Sequence, residues 1–178
     1  MVFLKVLRVI VLGGLMCASG LTVVPAAAQQ AKPELIGSFA NWDVYRLSAK
    51  SGPVCYISSQ PIKTTASRKN IARGPVYFLV TFRPRENIRN EVSVLTGYPY
   101  KKDSTVSAKV DQTGFTLYTN GESAWIADRR DENKMVLALK RGNRLVITGT
   151  SSRGTRTVDT YSLDGVTAAL ENLAQTCK

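Results

Sequence analysis

The chain contains no histidine. That absence removes the commonest general base and the commonest zinc ligand together, and it disfavours Ser-His-Asp, Cys-His and His-metal chemistries. Nucleotide cradles are missing too: neither Gly-x-x-x-x-Gly-Lys-Ser/Thr nor Gly-x-Gly-x-x-Gly occurs. The zincin helix, the nucleophile elbow and the Ser-x-x-Lys pattern of penicillin-recognising enzymes are equally absent. Asp128, Asp131 and Glu132 lie close enough in sequence for a carboxylate pair, but they alternate with Arg129, Arg130 and Lys134. Such mixed runs form solvated, self-neutralising surface. The expectation is a protein with no catalytic, cofactor-binding or metal-ligating residues, and not an enzyme.

What is present describes an ordinary folded domain with an unusual charge. Of 178 residues, 44% are hydrophobic, 21% charged and 8% aromatic, which suffices for a buried core and argues against long disorder. Lys and Arg number 24 against 13 Asp and Glu, a formal charge of +11. Lys5 and Arg8 are the only charges before Lys32, and the apolar run from Val9 to Val24 ends in Pro25-Ala26-Ala27-Ala28. A basic start, an apolar middle and small residues three and one before a cut form a secretory signal peptide over residues 1–28. Pro25 and the small-residue finish argue against the alternative, an uncleaved membrane anchor. A lipoprotein anchor at Cys17 lacks its preceding leucine and small-residue pattern. Removal of 28 residues leaves 150, with 22 of the basic and all 13 acidic side chains, a net charge of +9. Residues 29–178 are then a single domain without a transmembrane span, placed in the periplasm, on the outer membrane or outside the cell.

Cys17 leaves with the signal, and Cys55 and Cys177 remain. An even pair in an oxidising compartment reads as one disulfide. In the chain-entropy model a closed loop of roughly a hundred residues is worth about 4.7 kcal/mol, less any native strain. The absence of Cys-x-x-Cys spacing sets the redox-active alternative aside.

From Trp42 onward, short β-prone runs are punctuated by glycine turns. Pro75 to Phe82 is a continuous apolar run, too short for most helices, and reads as a central strand buried on both faces. Val106, Ala108 and Val110 alternate with polar residues, as in a half-buried strand. Hairpins are expected around Gly52-Pro53, Asn120-Gly121 and Ser151 to Gly154. Between Asp131 and Arg141 the spacing of Met135, Val136 and Leu139 fits a short helix capped by Asp131 or Asn133 and stopped by Gly142, although Met135 to Leu139 also fits a strand. Val166, Ala169, Leu170 and Leu173 lie at helical intervals in a tail capped by Ser162 or Asp164. The expected fold is mainly β, a single antiparallel β-sandwich-like domain with a short internal helix and a C-terminal helix.

The basic residues fall into two groups. Lys63, Arg68, Lys69, Arg73, Arg83, Arg85, Arg89, Lys101 and Lys102, placed mainly in loops, are opposed within their stretch only by Glu86 and Glu91. Arg129, Arg130, Lys134, Lys140, Arg141, Arg144, Arg153 and Arg156 face Asp128, Asp131 and Glu132. Arg129, Arg130, Lys140, Arg141, Arg144 and Arg153 are the candidates for binding an anionic surface, if they share a face; otherwise the charge serves solubility. The partner would be an anionic envelope or host-surface component, or a protein. No nucleic-acid module is visible. Tyr98 and Tyr100, beside Lys101-Lys102, are a candidate exposed aromatic contact for sugar or peptide, with a turn of packed tyrosines as the alternative. Oligomeric state is not encoded in any of these patterns.

Several stretches taken together resemble one family: Ala124-Trp125-Ile126-Ala127-Asp128, Met135 to Gly142, Thr148 to Gly154, and Asp159 to Leu163 before Gly165. Trp42-Asp43-Val44-Tyr45, Cys55, the run Val76 to Phe82, and Ala168-Ala169-Leu170 with the closing Cys177 fit the same order. The chain is similar in these respects to the invasion-associated locus B family. The resemblance implies a small, β-rich, secreted or outer-envelope protein of alphaproteobacteria with no known catalytic activity and a role in entry into host cells. A periplasmic envelope-maintenance or stress factor without a host role is the alternative function.

Overall fold

The structure is a computed structural model, and it describes residues 32–178; the signal peptide expected over residues 1–28 lies outside them. Eleven antiparallel strands and two helices follow one another in the described chain. Strands β1 (Glu34–Phe39), β2 (Trp42–Ala49) and β3 (Gly52–Ser59) form a meander. β4 (Lys63–Ala66) is followed by a long connection to β5 (Tyr77–Arg83), and then come β6 (Ile88–Leu95), β7 (Thr105–Val110), β8 (Thr113–Asn120) and β9 (Ser123–Trp125). Helix α1 (Arg129–Arg141), the hairpin β10 (Arg144–Thr150) and β11 (Arg156–Ser162), and helix α2 (Val166–Thr176) complete the chain.

All eleven strands belong to one sheet, in the order β1-β2-β3-β5-β6-β9-β8-β7-β10-β11-β4. That order cannot be flat. β3 and β4 stand third and eleventh, and a spacing of about 4.8 Å per strand would hold them roughly 38 Å apart. Only residues 60–62 join them, and the few bonds involved reach about 13 Å at most. The sheet therefore curls until its two halves face each other across a shared core, and this is how one sheet becomes sandwich-like. Side chains cross the interior accordingly: Phe78 of β5 packs edge-on against both Trp42 of β2 and Tyr161 of β11, each at 6.0 Å between centroids. The Trp42 indole N–H donates to the Ser162 carbonyl at 3.1 Å.

The alternation Val106, Ala108, Val110 is buried residue by residue, as the period-two pattern predicts. Each buried Val, Leu, Ile or Phe contributes about 1.5–3 kcal/mol, so the inward rows of the sheet dominate its stability. β5 departs from expectation. Its inner row, Phe78, Val80 and Phe82, is buried, whereas Tyr77 and Leu79 on the other face remain half-exposed. Of the nine basic residues between 63 and 102, expected mainly in loops, Lys63, Arg83 and Arg89 lie on strands and the other six between strands. In the β8–β9 hairpin Asn120 pairs with Ser123, and the turn itself is Gly121-Glu122, with Gly121 at φ +59°.

Both helices form where their apolar spacing requires and bury the expected faces, but their starts differ. The cap of α1 is Asp128, not Asp131 or Asn133. Its extended backbone aims the carboxylate at the Arg130 amide, 2.7 Å away, which leaves Asp131 and Glu132 in the first turn where negative charge suits the helix dipole. α2 starts at Gly165, without a side-chain cap. Gly165 has φ +89°, and a Cβ there would come within 2.0 Å of the Phe39 carbonyl oxygen, so the close approach of the β1–β2 turn dictates the residue. Cys177, at the end of α2, is disulfide-bonded to Cys55 on β3.

Candidate functional site

Three segments distant in the chain meet beside the β10–β11 turn: residues 68–72 before β5, residues 97–99 after β6, and residues 151–157. They enclose an open cleft of about 490 Å³. Backbone hydrogen bonds hold the segments together, with the Ser152 amide donating to the Pro99 carbonyl and the Gly74 amide to the Gly97 carbonyl, both at 2.8 Å. Gly97 sits at φ +67°, and an added Cβ would lie 2.4 Å from the Gly74 carbonyl oxygen. Glycine is required there by conformation and by space. The Ser151 hydroxyl accepts from the Thr155 amide at 3.1 Å and closes the turn.

Arg68, Lys69 and Arg153 line this cleft with exposed side chains. Among the described residues no carboxylate lines it, and none of the three cations is in an ion pair. Close to its floor a buried network organises the wall. The Arg73 guanidinium donates to both carboxylate oxygens of Asp159, at 2.8 and 2.5 Å, and through Nε to the Thr96 carbonyl at 2.7 Å. Asp159 is fully buried and also accepts from the Thr64 hydroxyl at 2.8 Å. Burial pushes the Arg73 guanidinium down, but the Asp159 carboxylate more than offsets this and leaves its pKa raised. Arg73 lies over the Tyr98 ring, 5.0 Å from its centroid, and the Tyr98 hydroxyl bonds Thr157 at 2.6 Å. Burial pushes the phenols of Tyr98, Tyr100 and Tyr161 up, so all three rings stay neutral at physiological pH. Arg73 is thus a structural cation, and the cations left free for a ligand are those on the rim.

The family model for the invasion associated locus B (IalB) proteins matches residues 42–174. The chain belongs to the IalB family. No curated protein and no solved structure matches it. IalB membership suggests an invasion-associated bacterial envelope protein. The matched span includes the whole cleft.

In this IalB protein the six basic residues singled out in the sequence do not form one surface. Arg129 and Arg130 begin α1 while Lys140 and Arg141 end it, and a helix of that length separates its ends by about 18 Å. That exceeds the screening length of about 8 Å at physiological salt. Arg130 is engaged by Asp128 at 3.3 Å. Arg144 opens β10, a strand's length from Arg153 at the following turn. Only Arg153 of the six reaches the cleft, where it joins Arg68 and Lys69 of the other group. Tyr98 and Tyr100 are buried, 9% and 6% exposed, and pack edge-on at 5.5 Å. They are not an exposed aromatic contact, because the turn folds both rings onto Gly149, where a side chain would collide with Tyr100. Among the described residues no cluster of three or more potential ligands for a metal ion occurs. No helix among them is long and apolar enough to cross a membrane.

The Arg73–Asp159 pair was missed in sequence, although a signal for it existed. Thr157, Asp159 and Tyr161 occupy the inward row of β11. A carboxylate in an inward row needs a buried cation, and its partner lay 86 residues upstream in the chain.

Proposed function

We propose that this IalB protein is a non-enzymatic exported protein that binds an anionic partner of the envelope or of a host surface through the Arg68, Lys69 and Arg153 cleft. The observation that carries this reading is the convergence of three unpaired cations on one open depression without a lining carboxylate. Their field attracts anions, and the exposed Ser152 hydroxyl and the neighbouring backbone supply hydrogen-bonding groups for carboxylate, phosphate or sulfate. The rigid Arg73–Asp159 network keeps that wall in place without neutralising the rim. Export by the N-terminal segment would bring the cleft to such partners.

Reversal of the three rim charges (Arg68→Glu, Lys69→Glu, Arg153→Glu) is expected to abolish adhesion to anionic vesicles or acidic glycans. Reversal of Arg129, Arg130, Lys140 and Arg141 should reduce it far less. Binding by the parent should weaken steeply from about 50 to about 500 mM salt. Equal binding by the parent and the rim variant would reject the cleft.

A further inference from the structure

The outer face of the sheet carries a second recess whose chemistry differs from that of the basic cleft. Adjacent strands β2, β3 and β5 place Asp43 and Tyr45, Tyr56 and Ser58, and Tyr77 and Leu79 on one face, with Tyr45 opposite Tyr56 and Ser58 between Asp43 and Leu79. Tyr45 and Tyr56 stack with centroids 5.3 Å apart and planes inclined by 19°. Two depressions, of about 360 and 440 Å³, share Tyr45, Ser58 and Tyr77 and so form one groove. It extends to Pro33 and Leu79 on one side and to Asp43, Gln60 and Ile62 on the other. The Gln60 amide donates to the Tyr77 hydroxyl at 3.2 Å, and the Ser38 hydroxyl donates to Asp43 at 2.7 Å. Ile62 is 62% exposed at the groove's end.

We propose that this groove binds a neutral, extended chain of pyranose sugars. Three properties of its lining select that occupant. First, among the described residues no Lys or Arg lines either depression, although the chain carries +11, and the one carboxylate present repels anions. Second, aromatic rings alternate with hydroxyl, amide and carboxylate groups over a few ångströms. A sugar ring has the complementary pattern, C–H groups on its faces for tyrosine and hydroxyls around its edge for Asp43, Ser58 and Gln60. A wholly apolar partner would strip water from the Ser58 hydroxyl and from the remaining hydrogen-bonding capacity of Asp43 and Gln60 without replacing it, which opposes its binding. Third, the groove lies along an open sheet face and not in a closed pocket, so it accepts a flat, ribbon-like polymer longer than itself. Burial pushes the Tyr45 and Tyr56 phenols up, and both therefore present neutral hydroxyls to the ligand.

The test is titration of the purified chain with cellohexaose, and separately with chitohexaose, followed by NMR of the tyrosine rings. At least one hexasaccharide is expected to shift Tyr45, Tyr56 and Tyr77 while leaving the buried Tyr98 and Tyr100 unmoved; comparison of the two shows whether an acetamido group is read. Tyr56→Val with Tyr77→Val should weaken binding at least about tenfold. Reversal of Arg68, Lys69 and Arg153 should leave it unchanged, as should salt raised from about 50 to about 500 mM. The proposal fails if neither sugar moves the three rings at about 10 mM. It fails equally if the folded valine variant binds as the parent does, or if the rings shift with protein concentration alone, which would make the groove a self-association surface.

Discussion

Arg73 and Asp159 show how one buried pair shapes both stability and charge. Their side chains are 9% and 0% exposed, so removal of either leaves the other desolvated and alone. Arg73→Met is expected to lose about 3–5 kcal/mol in urea denaturation, and replacement of both partners by apolar residues should recover much of that loss. A second residue acts in the opposite sense. Burial raises the carboxyl of Glu132 above the ordinary glutamate range, despite a weak bond from the Val92 amide. The folded state then binds the proton more tightly than the unfolded chain. The relative stabilisation is complete below the unfolded value of about 4.3 and disappears as pH rises through the higher folded value. Glu132→Gln should therefore raise the unfolding midpoint at pH 7, with the gain shrinking towards pH 4. Asp128 carries the reverse linkage. Its bonds from Arg130 lower its pKa, so its contribution to the α1 cap is present above the unfolded value and lost as pH falls through the folded one.

Helix α2 closes the chain and is held at both ends by different means. At its start, Gly165 admits the Phe39 carbonyl, and at its end the disulfide ties Cys177 to the buried Cys55. Between them Val166, Ala169, Leu170 and Leu173 supply the apolar face. The terminal turn has no basic residue to favour the dipole, so the covalent link is its main restraint. Cys177→Ser should destabilise the protein by about 2–5 kcal/mol. Hydrogen exchange should show protection lost first in the last turn of α2, with β3 following only on global unfolding. Gly165→Ala should shift the helix start even with the disulfide intact, because the added methyl group has no space beside Phe39.

The curl of the sheet is what turns scattered sequence features into sites. Residues 68–72, 97–99 and 151–157 touch because the β4 edge is carried round to β11, where Thr65 pairs with Val158. That pairing sets Arg68 and Lys69 beside Arg153, with the Ser67 amide donating to the Arg156 carbonyl at 2.9 Å, so their positive field is concentrated on one cleft. The predicted contrast between rim reversal and α1 reversal follows from this geometry: three cations share one cleft, while the ends of α1 stand about 18 Å apart, beyond a screening length of about 8 Å. The same curl leaves the outer face of β2, β3 and β5 open, which is where Tyr45, Tyr56 and Tyr77 gather.

Much of the architecture was legible in the chain itself because it depends on local periodicity. The alternation in β7, the spacing of Met135, Val136 and Leu139, and the apolar stripe of α2 each report a face that solvent or core selects, whatever the neighbours are. Cys55 and Cys177 were legible for a different reason, since an expected export that removes Cys17 leaves those two cysteines to pair with each other. Tertiary structure alone decided which charges are free. Arg73 looks no different in sequence from Arg68, yet one is locked against a buried carboxylate and the other faces an open cleft. It also decided that Tyr98 and Tyr100 turn inward while Tyr45, Tyr56 and Tyr77 line a surface groove. Burial and ion pairing depend on segments up to a hundred residues away in the chain, and no local pattern carries that information.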